Sequence, residues 1–238
     1  PNTYSALSYV HPNIHKTKKL PLLIVLHGAG RNQDGVWNLA NPQGEHAGLI
    51  PSLLYRNQAP PILTNNFVIV APYAGLGKRS FYEEPRSKLL KFVEWVCSPD
   101  GQQVIGATMD TNRIFLMGFS DGATVGVELA TTRRFKAAII CSYGFSGILP
   151  KLALERLQDI PLWVFHSVDD VIFPVSYSDQ LVQSLRSSSA PDDGRIRYTR
   201  YDHDPEEALG LPATVRGHTT GITASKLPDI YEWMLSLP

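Results

Sequence analysis

The sequence has few cysteines, no excess of charge of either sign, and no hydrophobic run long enough to cross a membrane. Cys97 and Cys141 are the only cysteines among 238 residues, which excludes a disulfide-rich scaffold. Two unpaired thiols are the default for this pair, and one disulfide is the alternative. Lys and Arg together number 22, as do Asp and Glu, so the charge gives no reason to expect nucleic acid as a partner. The longest apolar runs, LPLLIVLHGAG and FVIVAPYAG, have the length of strands and predict no membrane span.

The length and composition fit one α/β domain that occupies residues 1–238. A chain of this length can bury a substantial core, and its 43% hydrophobic residues supply the side chains. The beginning of the chain shows no signal peptide, although a start at Pro1 is also what trimming would leave. We therefore expect a cytoplasmic location rather than secretion.

Apolar runs of strand length alternate with segments of helical period along the chain. The predicted strands are Leu22–Leu26, Phe67–Ala71, Arg113–Met117, Ala137–Cys141, Leu162–His166 and Ile196–Tyr201, with a further edge strand in Tyr4–Val10. The predicted helices are His46–Tyr55, Ser87–Cys97, Asp121–Thr131, Ser176–Arg186 and Leu227–Leu235, with short helical turns in Lys151–Leu157. This order predicts an α/β fold with a mostly parallel, doubly wound sheet and helices on both faces. In such a sheet, the loops after the carboxyl ends of the strands carry the chemistry.

One of these loops holds a single serine between two glycines. Gly118-Phe119-Ser120-Asp121-Gly122 follows a predicted strand and leads directly into a predicted helix. A turn this sharp brings backbone segments close together, so the positions around the serine need residues without a β-carbon. This G-x-S-x-G pattern is typical of a nucleophile elbow, which presents a serine hydroxyl at the end of the sheet. A glycine-rich turn with a capping serine is the alternative.

Three other strand ends carry residues that would complement a nucleophilic serine. The glycine-rich stretch HGAG follows the first core strand and could turn backbone N–H groups toward a developing oxyanion. HSVDDVIFP contains Asp169 and Asp170, and His218 precedes the last predicted helix. Each feature alone is typical of an ordinary turn or a solvated loop. Together, a serine, an acid and a histidine occur in the chain order of an α/β-hydrolase triad, which favours Ser120 as a nucleophile.

The sequence resembles the α/β-hydrolase superfamily and, within it, the carboxylesterase-like branch. That branch includes phospholipase/carboxylesterases, feruloyl and polyhydroxybutyrate-depolymerase-like esterases, and predicted peptidases. The resemblance extends from about Leu20 to the carboxyl terminus and rests on LPLLIVLHGAG, FVIVAPY, MDTNRIFLMGFSDGA, IPLWVFHSVDDVIFPVSYSDQLVQSL, RYTRY, GH and YEWMLS. Two features depart from the family pattern. Ser167 stands where a glycine usually follows the histidine of the acid loop, and the segment YDHDPEEALGLPATVRGHTTG is longer than expected.

The resemblance implies a serine hydrolase that cleaves small-molecule carboxylic esters of small or medium acyl groups through an acyl-enzyme. It implies that Ser120 is the nucleophile, Asp170 the triad acid and His218 the base. The backbone N–H groups of Ala29 and Asp121 would form the oxyanion hole. Asp169 and His203 are the neighbouring alternatives for the acid and the base. This chemistry requires no metal ion and no organic cofactor.

The sequence also predicts what surrounds the active site. Phe81, Tyr82 and Phe173 come after strands on the expected active face, so we predict that they form a substrate rim. The predicted strands ending at Cys141 and beginning at Leu162 leave no room for a helical cap. A serine peptidase of the same fold and a non-catalytic ligand-binding protein on the same scaffold are the alternative functions.

Two competing motifs fail, and two further histidines are expected to be structural. GLGKRS lacks the first glycine and the Ser or Thr of a phosphate-binding loop. His11 and His15 have the spacing of metal ligands but no third ligand in view. His46 is expected at a helix start and His166 at a strand end.

Overall fold

This computed structural model describes residues 4–14, 18–30, 35–44, 46–75, 77–188, 194–205 and 213–238. A seven-stranded sheet with the order β1-β3-β2-β4-β5-β6-β7 forms its centre. The strands are β1 (Ala6–Tyr9), β2 (Leu20–Leu26), β3 (Val68–Pro72), β4 (Met109–Phe119), β5 (Ala137–Cys141), β6 (Leu162–Ser167) and β7 (Ile196–Tyr201). All neighbouring strands pair in parallel except β1, which runs antiparallel to β3 at the edge.

Helices cover both faces of this sheet. Among the described residues they are α1 (Ile50–Tyr55), α2 (Pro61–Asn66), α3 (Arg86–Cys97), α4 (Pro99–Ile105), α5 (Asp121–Ala130), α6 (Lys151–Leu157), α7 (Ser176–Ser188), α8 (Thr220–Lys226) and α9 (Pro228–Ser236). The core side chains of α3, α5, α6 and α7 pack on one face, and those of α1, α2, α8 and α9 pack on the other. The predicted α/β fold with helices on both faces is therefore confirmed.

Strand β2 shows why apolar runs without alternation form the centre of such a sheet. Leu22 and Ile24 point into one core, whereas Leu23 and Val25 point into the other, and all four are at most 5% exposed. A strand covered on both faces buries every side chain, so its sequence is continuously hydrophobic. The same reasoning holds for β5, whose five residues are all buried.

Several predicted boundaries need correction. The helix expected from His46 begins only at Ile50, and His46 lies in the preceding turn, where it is buried. The strand expected at Arg113–Met117 is longer and spans Met109–Phe119. Helices α2, α4 and α8 were not predicted. Residues 189–193 of the expected surface connection Arg186–Arg195 lie outside the described residues, as does His15.

Three further expectations can be compared with the fold. Cys97 and Cys141 are free thiols, as the default interpretation predicts. No helix within the described ranges has both the length and the apolar character needed to cross a membrane. Between β5 and β6, residues 142–161 form only a loop, α6 and a short connection, so no cap is inserted there.

Candidate active site

Ser120 lies in the sharp turn between β4 and α5. Its backbone has φ 57° and ψ −123°, a conformation that residues other than glycine rarely adopt. The Ser120 N–H donates to the carbonyl of Cys141 at the end of β5, which holds the turn on the sheet. Backbone strain of this kind persists where the surrounding structure enforces it, commonly at functional sites.

The glycines of G-x-S-x-G allow this turn to form. A β-carbon at Gly118 would lie 2.3 Å from the Gly122 carbonyl oxygen, across the turn itself. A β-carbon at Gly122 would lie 2.4 Å from the carbonyl oxygen of Leu26, because the first turn of α5 packs on the end of β2. Both positions therefore exclude any residue larger than glycine, as the sequence pattern predicts.

A continuous line of hydrogen bonds connects Ser120, His218 and Asp170. Ser120 Oγ lies 2.9 Å from His218 Nε2, and His218 Nδ1 lies 2.8 Å from Asp170 Oδ2. Because the carboxylate accepts, Nδ1 carries the hydrogen and Nε2 accepts from the serine hydroxyl. The Asp170 side chain is fully buried, and that of His218 is 9% exposed. The structure thus brings together the three residues that the sequence places 50 and 48 positions apart.

Asp170 lies in the loop after β6, where four hydrogen bonds hold its carboxylate. Oδ1 accepts the backbone N–H groups of Ile172 (2.8 Å) and Phe173 (2.9 Å). Oδ2 accepts from His218 and from His166 Nε2, the latter at 3.1 Å. Burial alone would raise the pKa of Asp170, but the hydrogen bonds from His166, His218 and Phe173 and the charge of His218 outweigh it and hold that pKa well below its ordinary value. Asp170 is therefore ionised at neutral pH.

The loop after β2 lies against the nucleophile. A β-carbon at Gly28 would be 3.0 Å from Ser120 Cβ, and Gly30 N–H donates to the Arg79 carbonyl at 2.8 Å. The backbone N–H groups of Ala29 and Asp121 form no hydrogen bond within the part of the chain that the structure describes. Asp121 is the first residue of α5, so its N–H is one of the free amides at a helix start.

His27 fixes the beginning of this loop. Its Nδ1 donates to the Gly28 carbonyl at 2.6 Å, and its Nε2 accepts the Ala74 N–H at 3.1 Å. This pair of contacts requires the neutral ring with hydrogen on Nδ1. Burial first, and then the neighbouring His46, lower the pKa of His27 to about 3, so the ring stays neutral at physiological pH.

The alternative acid and base contact each other rather than Ser120. His203 Nδ1 lies 3.4 Å from Asp169 Oδ2, and the His203 side chain is 80% exposed. Ser167, which stands where a glycine was expected, donates its hydroxyl hydrogen bond to Asp169 Oδ1. This arrangement leaves Asp170 and His218 as the acid and histidine in line with Ser120.

Only part of the predicted substrate rim is at the surface. Phe81 is 1% exposed and packs on Tyr4 and His27, so the prediction that it lines the rim is wrong. Tyr82 is 42% exposed, and its hydroxyl donates to Glu128. Phe173 is partly exposed and contacts the His218 ring edge to face, with centroids 5.3 Å apart.

Sequence reasoning missed two contacts of the triad histidine and acid. Phe119, inside the G-x-S-x-G pattern, contacts the His218 ring, with the centroids 5.1 Å apart and the ring planes tilted by 43°. His166 lies at the end of β6, as expected, but it also binds the Asp170 carboxylate. Its position four residues before the acid was the available signal, since that spacing places the end of β6 close to the loop that carries Asp170.

Comparisons with known proteins agree with this geometry. A sequence model of the phospholipase/carboxylesterase family matches residues 100–207, which include Ser120 and Asp170. None of the curated proteins matches the sequence at a significant level. Over residues 100–207, the match to the family model confirms the predicted resemblance to the phospholipase/carboxylesterase family.

Solved structures give the same fold. A thermostable esterase shares 24% identity with a TM-score of 0.64, over 97% of this chain and 58% of that esterase. A candidate dienelactone hydrolase from Klebsiella pneumoniae subsp. pneumoniae shares 15% identity with a TM-score of 0.62, over 99% and 100% of the two chains. Propionate-bound esterase 2 from Thermogutta terrifontis shares 12% identity with a TM-score of 0.61, over 98% and 89%. This protein therefore has the α/β-hydrolase fold, and it spans little more than half the length of the first of these relatives.

Proposed function

We propose that this protein is a serine esterase that hydrolyses carboxylic esters of small or medium acyl groups through an acyl-enzyme on Ser120. The observation that carries the proposal is the line of hydrogen bonds from Ser120 Oγ through His218 to Asp170, with distances of 2.9 and 2.8 Å. It is supported by the strained turn at Ser120, since such a turn presents the hydroxyl at the end of the sheet.

Ser120 needs a base because a serine hydroxyl is a weak nucleophile at neutral pH. As Oγ attacks the ester carbonyl carbon, its proton passes to His218 Nε2. The imidazolium is stabilised by the ionised Asp170, which also holds Nδ1 as the protonated nitrogen. The carbon–oxygen bond of the leaving alcohol then breaks, and His218 returns the proton to that oxygen. Water completes the cycle by attacking the acyl-enzyme with the same histidine as base.

The negative oxygen of the tetrahedral intermediate would be bound by the N–H groups of Ala29 and Asp121. Loss of one such donor in comparable hydrolases costs on the order of 3 kcal/mol in the barrier. His27 supports this assignment, because its neutral ring ties the Gly28 carbonyl to the Ala74 amide and so restrains the loop that carries Ala29.

Preference for small or medium acyl groups is proposed from the absence of a cap between β5 and β6 and from the rings beside His218. Phe173 packs on the backbone at Gly144, where a β-carbon would lie 2.3 Å from the ring. The Phe173 ring therefore limits the space next to His218. The Thermogutta terrifontis esterase, a fold relative, was solved with propionate, a short carboxylic acid.

A fluorophosphonate probe tests the proposal, because it phosphonylates activated serines. We expect one labelled site at Ser120 and hydrolysis of short p-nitrophenyl esters. Ser120→Ala should abolish labelling and lower kcat by roughly a million-fold. Ser52→Ala is the matched control, because the buried Ser52 hydroxyl forms no hydrogen bond with other described residues. Its loss should change neither the labelling nor kcat.

Three outcomes would contradict the proposal. An unlabelled wild-type protein that still binds ester analogues would indicate a ligand-binding protein instead. Faster cleavage of peptide amides than of matched esters would indicate a peptidase. Full turnover by a pure Ser120→Ala preparation would exclude Ser120 as the nucleophile.

A further inference from the structure

We propose that His166 and Ser178 form a positioning pair behind the triad acid, in which His166 holds the Asp170 carboxylate as a neutral hydrogen-bond donor and the Ser178 hydroxyl maintains that neutral form. The inference rests on the proposed function, because it assigns His166 a part in orienting the acid of the triad. It concerns a residue that acts through Asp170 and not on substrate.

The hydrogen-bond partners of His166 require a hydrogen on Nε2 and allow Nδ1 to accept one. Nε2 lies 3.1 Å from Asp170 Oδ2 and 3.0 Å from the Phe173 carbonyl oxygen. An ionised carboxylate and a carbonyl only accept, so Nε2 must donate. Nδ1 lies 2.7 Å from Ser178 Oγ, and a hydroxyl can donate to it. When the Ser178 hydroxyl donates to Nδ1, the ring is neutral and both nitrogens are satisfied, and this is the form that the proposal assigns to the fully buried side chain.

A neutral His166 is what the proposed chemistry requires at this position. His218 Nδ1 and His166 Nε2 approach the same oxygen, Oδ2 of Asp170. During the reaction the positive charge must appear on His218. A permanent charge on His166 would already compensate the carboxylate and disfavour that second imidazolium. A neutral donor orients the carboxylate and leaves its charge for His218.

Rigid elements hold the pair in place. His166 belongs to β6, and Ser178 lies in the first turn of α7. Both side chains are completely buried. The Phe173 carbonyl that shares the His166 hydrogen belongs to the residue whose N–H binds Asp170 Oδ1. His166 therefore fixes both the carboxylate and the loop that carries it, as supporting residues of catalytic groups do in general.

Four variants test the pair. His166→Leu removes the donor, His166→Gln keeps an N–H near the position of Nε2, and Ser178→Ala removes the hydroxyl. His203→Leu is the matched control, because it removes an exposed histidine that contacts the other carboxylate of the same loop. For each variant, kcat and KM on p-nitrophenyl butyrate are measured across the titration range of imidazole, with thermal unfolding as a check of folding.

We expect His166→Leu to lower kcat by about tenfold to a hundredfold with little change in KM, as loss of a supporting hydrogen bond does elsewhere. The acid limb of its pH–activity profile should move to higher pH, because Asp170 then stabilises the His218 imidazolium more strongly. His166→Gln should recover most of both effects. Ser178→Ala should lower kcat by a smaller factor than His166→Leu, because the ring keeps its hydrogen bond to Asp170 but loses the hydroxyl that orients it. His203→Leu should match the wild type.

The inference is overturned if folded His166→Leu retains the kcat and pH profile of the wild type. It is also overturned if His166→Leu and His166→Gln lose activity equally, in step with stability and with no shift of the acid limb, since that pattern is purely structural. A Ser178→Ala variant equal to the wild type at every pH removes the part assigned to Ser178. Failure of the proposed function is seen separately, as a wild-type protein that neither hydrolyses esters nor reacts with fluorophosphonate.

Discussion

Gly217 lies directly against the backbone nitrogen of Asp170, so that a β-carbon at Gly217 would stand 2.4 Å from that atom. Gly217 also has φ 68°, in the left-handed region that favours glycine. Beside this contact, the Val171 N–H donates to the Arg216 carbonyl at 3.0 Å. The loops that carry the acid and the histidine therefore meet through their backbones. That contact determines how closely Asp170 and His218 approach.

Gly217→Ala should separate these loops and damage the site. We expect kcat to fall by about a hundredfold or more, because small displacements of a catalytic group have large effects on rate. Gly106→Ala is the matched control, since Gly106 has a similar φ of 78° but no heavy atom within 4 Å of the added carbon. The control should lose only about 1 kcal/mol of unfolding free energy and no activity. Equal, purely thermodynamic effects of the two substitutions would contradict this view of the loop contact.

The acid and base assignments predict that substitution of each assigned residue abolishes turnover, whereas substitution of its alternative does not. Asp170→Asn should lower kcat by about ten-thousandfold through the wrong histidine tautomer, whereas Asp169→Asn should have little effect. His218→Ala should likewise abolish turnover, and His203→Ala should retain it. Steady-state kinetics on p-nitrophenyl esters measure both comparisons. If the ranking were reversed in either pair, the role would transfer to the neighbouring residue.

Much of the sheet could be predicted because buried parallel strands have an unmistakable composition. Leu22–Leu26 and Ala137–Cys141 are apolar throughout since each is covered on both faces. Helices α2 and α4 were missed for a specific reason. They begin at Pro61 and Pro99, and proline in a sequence suggests a loop, although it is well accommodated in the first turn of a helix.

The candidate site was predictable where chain order and local pattern carry the information. Ser120 is recognisable from its flanking glycines, and an acid and a histidine follow strands further along the chain. The local sequence pattern does not determine whether a side chain is exposed. Phe81 follows a strand on the active face, yet it is buried because Tyr4 and His27 pack on it from distant segments. The contact of His166 with Asp170 likewise depends on how the loop after β6 closes.

His27 predicts a specific acid sensitivity. Its pKa is about 3 in the fold and 6.5 in its ordinary state, so the unfolded chain binds the extra proton between these values. Stability therefore falls as the pH drops below about 6.5, by on the order of 3 kcal/mol by pH 4. The pKa of Asp170 is lowered in the fold, so Asp170 contributes to the loss of stability only below its ordinary pKa of 3.8. Between about pH 6.5 and 4, the contribution of His27 can therefore be measured apart from that of Asp170.

Urea unfolding at several pH values across this interval measures the effect. His27→Gln cannot titrate there, so its unfolding free energy should be lower at neutral pH but depend less on pH. His203→Ala removes an exposed histidine and should retain the wild-type slope. A wild-type slope in His27→Gln would mean that other groups cause the acid sensitivity.

The surroundings of Ser120 predict how the proposed activity depends on the length of the acyl group. The chain from Ser142 to Pro161 contains only a loop, α6 and a short connection, so no helical lid closes over the site from there. The loop after β6 also presents Val171 and Ile172 to solvent. Because the connection between β5 and β6 holds no cap that must open at a lipid surface, turnover should follow ordinary saturation with soluble esters. A series of p-nitrophenyl esters from acetate to palmitate should show the highest kcat/KM for short or medium chains, with Phe173→Ala shifting the optimum toward longer ones. A preference for long chains, with a jump in rate where the substrate exceeds its solubility, would instead require a lid that opens at an interface.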